Sequence, residues 1–399
     1  MRATVRDLRR ASRTAVLRPL LFEGPQNRVG LARRTGLSSA SMSNVVGELI
    51  EDGLVLEAGT EESSGGRPRI VLRVNPDFGV AIGVDVGETG VRVEAFDLGM
   101  RELAGITVPL DPQACPPEEI VVASAAAVGE LRAQLEGAGR RILGVGIGVP
   151  GVVEHDAALH VHAPSVGWDG VPLGSLFRTH VDLPLFVENG AKTLGQAEMW
   201  LGAGRGLRNV VVTLWATGIG AAIFADGALY RGTASSAGEW GHTNIAVGGT
   251  RCRCGARGCL EAYVGAERLI RAWEAADKDV SLPAELDQPE WIARLVAAAD
   301  AGGAAAAVLD EAATTFGTAA ADLVNLFNPE RIVVAGWAGL LLGPRLLPRI
   351  REVIAEQALA YAAARVTVEL GGLGTDAVAL GASTLVLDEL LATGGRVGA

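Results

Sequence analysis

Three of the chain's four cysteines, Cys252, Cys254 and Cys259, fall in one short stretch, and His242 lies just upstream of them. Three thiols and an imidazole are a complete donor set for a tetrahedral zinc ion. Gly255 and Gly258 supply the tight turns that let the sulfurs converge. One structural Zn2+ per chain is therefore expected on His242, Cys252, Cys254 and Cys259. A disulfide scaffold is the competing explanation, but a C-x-C pair does not close comfortably on itself. Two carboxylates, Glu239 and Glu261, frame the cluster. A four-coordinate metal needs neither of them, which leaves both free to hold a polyhydroxyl ligand. A zinc site with no functional neighbour is the alternative.

The string E-x-G-H at 239–242, followed by C-x-C-G-x-x-G-C-L-E at 252–261, resembles the signature of the ROK family (repressors, open reading frames, sugar kinases). The resemblance implies an α/β fold with a two-lobed, actin-like ATPase/sugar-kinase (ribonuclease H-like) body closing around a cleft. It implies that His242 gives one ring nitrogen to zinc and the other to a sugar hydroxyl. It further implies that Glu239 and Glu261 take other hydroxyls, and that the strand-to-loop junction at Gly151 lines the sugar pocket.

Three segments depart from what the same resemblance implies for a kinase. Asp85-Val86-Gly87-Glu88-Thr89 is similar to the D-x-G-x-T phosphate loop of the wider superfamily, in which backbone N–H groups cradle a phosphate. Active kinases usually carry a second glycine where this chain has Glu88. A plain tight hairpin is the other reading of that segment. LFVENGAK (185–192) stands where the family has E-N-D-A-N, whose Asp is the general base. Gly190 occupies the base position and accepts no proton, so no catalytic residue is expected. Asn189 keeps the capacity to bond a sugar hydroxyl, and Lys192 adds a cation compatible with an anionic ligand. Thr217–Gly220 is similar to the second phosphate loop. In RIVVAGWAG (331–339), Trp337 follows Gly336 and is expected to crowd an adenine. Trp168, in SVGWDGVPL, matches a family feature near the substrate; stacking on a sugar and core packing are both open to it.

Charge is uneven. The chain carries −11 overall, yet residues 1–75 hold 12 Lys+Arg against 8 Asp+Glu, a net of +4, leaving −15 for the remainder. That asymmetry fits a basic nucleic-acid head on an acidic body. Apolar spacing predicts a helix over 4–22, a short helix over 29–35, a turn at Gly36–Leu37, a helix over 39–52 capped by Ser38, and a hairpin over 53–74. This is the pattern of a winged helix-turn-helix. Ser39, Ser41, Ser43 and Asn44 form the face that would reach base edges or phosphates. Arg67 and Arg69 arm the wing for phosphates or the minor groove. A small three-helix interaction domain is the alternative.

The expected divisions are 1–75 (head), 76–190 completed by 376–399 (first lobe), and 191–375 (second lobe with zinc). Further helices are expected over 116–138, 262–325, 344–361 and 376–391, and strands over 80–98, 142–149, 210–223 and 365–370. No internal repeat is legible. The charged start MRATVRDLRRASR lacks an apolar core, and no run of about 18 apolar residues is free of charge and glycine, so a cytoplasmic chain without a membrane partner is expected.

Together these readings describe a sugar-responsive DNA-binding transcriptional regulator, a repressor of carbohydrate uptake or catabolism genes. Its partners would be a double-stranded DNA operator, a small-molecule sugar effector and further copies of itself in a homodimer or homotetramer. It would not be an enzyme. Two alternatives stand beside it. One is an active ATP-dependent sugar kinase with an added DNA-binding domain, using Glu188 or a water as base. The other is a DNA-binding regulator whose cleft serves only oligomerisation.

Overall fold

The computed structural model describes residues 4–62, 68–88, 90–109, 116–283, 287–375 and 377–396. The chain opens with α1 (Val5–Phe22), fixed by a Thr4–Asp7 capping box. Pro19 lies inside this helix without ending it. A short β1 (Gln26–Asn27) leads into α2 (Arg28–Thr35), capped by Asn27. Next comes α3 (Ser39–Glu51), where Ser38 accepts from the Ser41 N–H. The wing is β2 (Val55–Glu61) paired antiparallel with β3 (Arg69–Val74). The order is that of the expected winged helix-turn-helix, the helix bounds fall within one residue of those expected, and β1 is an addition to it.

The core of the head is continuous with that of the body. Val16, Leu17, Leu20, Met42, Val46 and Leu49 continue without a break into Leu98, Leu143 and the C-terminal Leu387 and Leu390. Buried Arg13 fastens the seam. Its Nε donates to the Gly394 carbonyl (2.6 Å), and its amino groups reach Glu48 and Asp52.

The first half of the body contains β4 (Val80–Val86), β5 (Val91–Asp97), β6 (Glu102–Val108), α4 (Pro117–Gly137) and β7 (Ile142–Val149). A small three-stranded sheet follows, β8 (Val152–Val153), β9 (His160–Ala163) and β10 (Trp168–Pro172), then α5 (Leu173–Arg178) and β11 (Leu185–Asn189). The main sheet runs β6-β5-β4-β7-β11, with β7 parallel to both its neighbours. Helix α6 (Gly190–Leu201) leads into the second half: β12 (Val210–Trp215), β13 (Ile219–Ala225) and β14 (Ala228–Leu229). Helices α7 (Glu261–Val264), α8 (Ala266–Ala276), α9 (Gln288–Ala299) and α10 (Gly303–Phe327) precede β15 (Arg331–Ala335). The half ends with α11 (Trp337–Gln357), α12 (Ala360–Ala363) and β16 (Thr367–Leu370). Its sheet runs β14-β13-β12-β15-β16, and α13 (Ala377–Ala392) closes the chain.

The two sheets share one plan. In each, an antiparallel three-strand meander is followed by a fourth and a fifth strand parallel to the first, in spatial order 3-2-1-4-5. The sequence showed no repeat because residues 230–330 place the cysteine-rich loop and four helices between the third and fourth strands of the second half. The first half has α4 at that point. Helix α11 also differs from expectation: it starts at Trp337, not 344, and carries Pro344 and Pro348 inside it. Proline normally breaks a helix. Here burial of Leu342, Leu346 and Ile350 holds the helix together.

Helix α13 is apolar on nearly every side, as a helix buried all round must be. It lies on β4 and β7, on α6 and on α1. Among the described residues, no single helix is long and apolar enough to cross a membrane.

Candidate functional site

A cleft of about 860 Å3 opens between the two halves. The ends of β7 and β11 bring Gly151, Asn189 and Gly190 to one wall; Glu239, His242 and Glu261 come from the other. Trp337, at the first turn of α11, and Glu88, after β4, also line it.

His242, Cys252, Cys254 and Cys259 each offer one donor atom, and all four atoms lie within 4.8 Å of one another. His242 Nδ1 is 3.8 Å from Cys252 Sγ, and Cys254 Sγ is 3.7 Å from Cys259 Sγ. A tetrahedron of about 2.3 Å metal–sulfur bonds has edges of about 3.8 Å, so the spacing fits a zinc-sized ion. The same separations exclude disulfides, which need about 2.05 Å. Burial pushes the Cys252 thiol up to about 12 and raises Cys259 as well. Thiolates in such surroundings require a cation.

The residues expected to bind sugar meet in the cleft with distinct commitments. Burial raises the Glu239 carboxyl, against the pull of His242 and Lys192. Glu261 Oε2 accepts from the Ile219 N–H (3.2 Å), and Oε1 from Arg253 (3.2 Å). Asn189 is largely occupied. Its Oδ1 caps α6 by accepting from Ala191 and Lys192 N–H, and its Nδ2 donates to the Gly151 carbonyl (2.7 Å). One amide hydrogen is left for a ligand. Gly190 stands beside it with ordinary clearance, where an added Cβ would lie 3.6 Å from its nearest neighbours.

Lys192 corrects the expectation of a cation facing an anionic ligand. Its side chain is 1% exposed; Nζ donates to the Ser235 carbonyl and lies 3.9 Å from Glu188. Burial lowers its pKa more than Glu188 and Glu239 raise it. Glu188 is itself enclosed, with Arg231 Nε at 2.9 Å and His155 Nε2 at 3.5 Å. Burial opposes its charge, yet the His155 contact, Lys192, the Asn189 N–H and Arg231 together hold it at about 2. A carboxylate held that low is a poor general base, which weakens the kinase alternative that relied on Glu188.

The depressed value has a pH consequence. A carboxylate whose pKa falls on folding stabilises the fold above its unfolded value, here 4.5, and that contribution is lost as pH drops towards 2. Glu188→Gln leaves Lys192 buried without its partner, at a cost of about 3–5 kcal/mol at neutral pH. Urea unfolding at stepped pH should show the wild-type advantage shrinking between those two values. An advantage independent of pH there would contradict the assignment.

Trp168 is 3% exposed and belongs to the core of the first half, so of its two open roles the structure shows packing. In the head, Ser39, Ser41, Ser43 and Asn44 are exposed on α3, though the Ser41 hydroxyl shares a hydrogen bond with Ser38. Arg69 is exposed at the start of β3; Arg67 lies outside the described residues. Three residues at the site escaped the sequence reading: Arg253, Arg231 and His155. Only spatial proximity reveals them.

Residues 81–389 match the ROK family, beginning just after the head. A xylose repressor of Caldicellulosiruptor bescii is 29% identical over 394 residues, 96% of this chain and 97% of its own length. The crystal structure of a ROK family transcriptional regulator homologous to the E. coli MLC protein superimposes with a TM-score of 0.80 at 25% identity, covering 97% of this chain and 98% of that one. A ROK family glucokinase from Streptomyces griseus, in complex with glucose and AMPPNP, gives 0.65 at 28% identity and covers 78% of this chain and 100% of its own.

Proposed function

This chain belongs to the ROK family, and from that premise we propose that it is a sugar-responsive transcriptional repressor rather than a kinase. The observation that carries the reading is the pairing of a carboxylate–histidine cleft with a head of winged helix-turn-helix order seated on the same body. Likeness to the xylose repressor and to the MLC homolog spans head and body alike. The absence of a base at Gly190 and the enclosure of Glu188 count against phosphoryl transfer.

Glu239, His242 and Glu261 hold the hydroxyls of a sugar, with Asn189 adding one donor and Gly151 shaping the wall. Zinc on His242, Cys252, Cys254 and Cys259 orients the imidazole, so that its second nitrogen faces the cleft. Helix α3 enters a major groove with Ser39, Ser41, Ser43 and Asn44, while Arg69, and Arg67 with it, meets the backbone or minor groove. A cytoplasmic homodimer or homotetramer presents two such heads to a two-fold operator. Helix α6 links the sites: it begins at the Asn189 cap in the cleft and carries in its last turn Trp200, whose ring lies 4.3 Å from Phe22 of α1. A ligand that favours one lobe arrangement thereby changes the setting of the heads.

The test is a thermal-shift screen of the metal-loaded protein against pentoses, hexoses, their phosphates and ATP, followed by operator binding with and without any stabilising sugar. One sugar should stabilise the protein, by about 2.7 kcal/mol at 100 times its Kd, and should weaken operator binding. Glu239→Ala should bind that sugar about 10–100-fold more weakly, the loss of a charged hydrogen bond. Turnover of ATP with any sugar, or an operator affinity indifferent to a sugar that binds, would sink the reading.

A further inference from the structure

Arg253 sits between two of the cysteines, at the tip of the metal loop, and its guanidinium spans the cleft. Nη1 lies 2.5 Å from Glu88 Oε2, and Nη2 lies 3.4 Å from Glu88 Oε1 and 3.2 Å from Glu261 Oε1. Glu88 belongs to the loop after β4, in the first half of the body. Arg253 and Glu261 belong to the second. The pair is partly shielded, with the Arg253 side chain 28% and the Glu88 side chain 14% exposed. A partly buried ion pair is screened less than one in open solvent, and fork-like contacts to two carboxylates fix an arginine in direction as well as distance.

We propose that Arg253 is a positioning and specificity residue that, through Glu88, ties the two halves of the body together without any nucleotide and sets Glu261 for its ligand. The proposal rests on the sugar-site reading for the role of Glu261, but the tie itself does not. Glu261 is held from two sides, by the Ile219 N–H on one oxygen and Arg253 on the other. Its free acceptor directions are thus fixed before a ligand arrives. The same guanidinium, neutralised by Glu88, offers no charge to a phosphate. With Glu88 removed, Arg253 keeps Glu261 on Nη2 and frees Nη1 beside the glycine-rich Thr217–Gly220 turn, a setting that takes an oxyanion. One substitution position, Glu88, therefore decides both whether the cleft is self-closed and whether it accepts phosphates.

The full-length, metal-loaded protein is compared with Glu88→Gln, Arg253→Met, Glu88→Gly and the double variant Glu88→Gly/Arg253→Met. Small-angle scattering without ligand should show larger radii of gyration for Glu88→Gln and Arg253→Met than for wild type. Inorganic pyrophosphate should raise the melting temperature of Glu88→Gly and leave wild type and the double variant unmoved. With D-xylose and D-glucose as probes, whichever binds wild type should bind Arg253→Met about tenfold more weakly, and the double variant Glu88→Gly/Arg253→Met should be no worse than Arg253→Met alone. Unchanged radii, or pyrophosphate stabilising wild type as strongly as Glu88→Gly, would overturn the proposal. If neither sugar binds, the scattering and pyrophosphate results still decide the tie, so its failure is distinguishable from failure of the sugar reading.

Discussion

Replacing Cys259 by serine, or stripping the metal with a chelator, is expected to remove about one zinc per chain and lower the melting temperature by on the order of 10 °C. Sugar affinity should fall at least about 100-fold. The reason lies in how little else holds the loop. Between Thr243 and Leu260 the backbone makes only isolated bridges, Asn244 with Cys259 and Arg251 with Arg257, plus turns. Burial raises the Cys252 and Cys259 thiols, which disfavours their thiolates unless a cation offsets the cost. Glu261 follows Cys259 by two residues and Arg253 lies between Cys252 and Cys254, so slackening the loop displaces the carboxylate and its positioning partner together. The second half of the body has its own large core around Trp215, Phe316 and Ile350, so the loss should remain local. Metal content by mass spectrometry, calorimetric sugar titration and hydrogen exchange check this. Exchange should rise in 243–261 while α13 stays protected. A Cys259→Ser chain that keeps both its metal and its affinity would contradict the assignment.

The cluster of His242, Cys252, Cys254 and Cys259 was legible because its members are close in sequence and their chemistry is specific. The same holds for the Ser38 cap and the head's hydrophobic spacing, both local signals. What the sequence hid was depth and distance. Lys192 looked like a cation for the ligand, but a linear pattern does not tell which way a side chain on α6 points, and the fold turns it onto Ser235 and Glu188. Arg253 read as a spacer between cysteines because its partner Glu88 is remote in the chain. Asn189 was read as a ligand residue; the α6 cap on Oδ1 and the Gly151 carbonyl on Nδ2 leave it one amide hydrogen for that role. The duplicated sheet plan was invisible because strand order is a property of pairing, which apolar β-strands satisfy with many sequences.

Gly146→Ala is expected to be among the most destabilising single substitutions in the chain, at more than about 3 kcal/mol, because it drives helix α13 off the sheet. A Cβ at Gly146 would lie 1.8 Å from the Ala382 carbonyl oxygen, and one at Gly83 1.9 Å from that of Ala379. On the helix itself, a Cβ at Gly381 would lie 2.1 Å from the Thr193 oxygen of α6. Ordinary overpacking is relieved when side chains shift. Here the obstacle is backbone on both sides, so α13 must move as a unit. It would carry the head with it, since Leu387 and Leu390 complete the head's core and Thr14 and Arg13 hydrogen-bond to the Leu391 and Gly394 carbonyls. It would also disturb α6, the element that joins cleft to head. A chain that still folds should therefore lose the sugar dependence of operator binding before it loses operator binding itself. Gly129→Ala on the exposed face of α4, where an added Cβ meets nothing within 4 Å, is the control and should be neutral or slightly stabilising. Chemical denaturation together with operator titration separates the two variants. Equal stability of Gly146→Ala and Gly129→Ala would mean that α13 is not seated on the sheet as closely as the geometry requires.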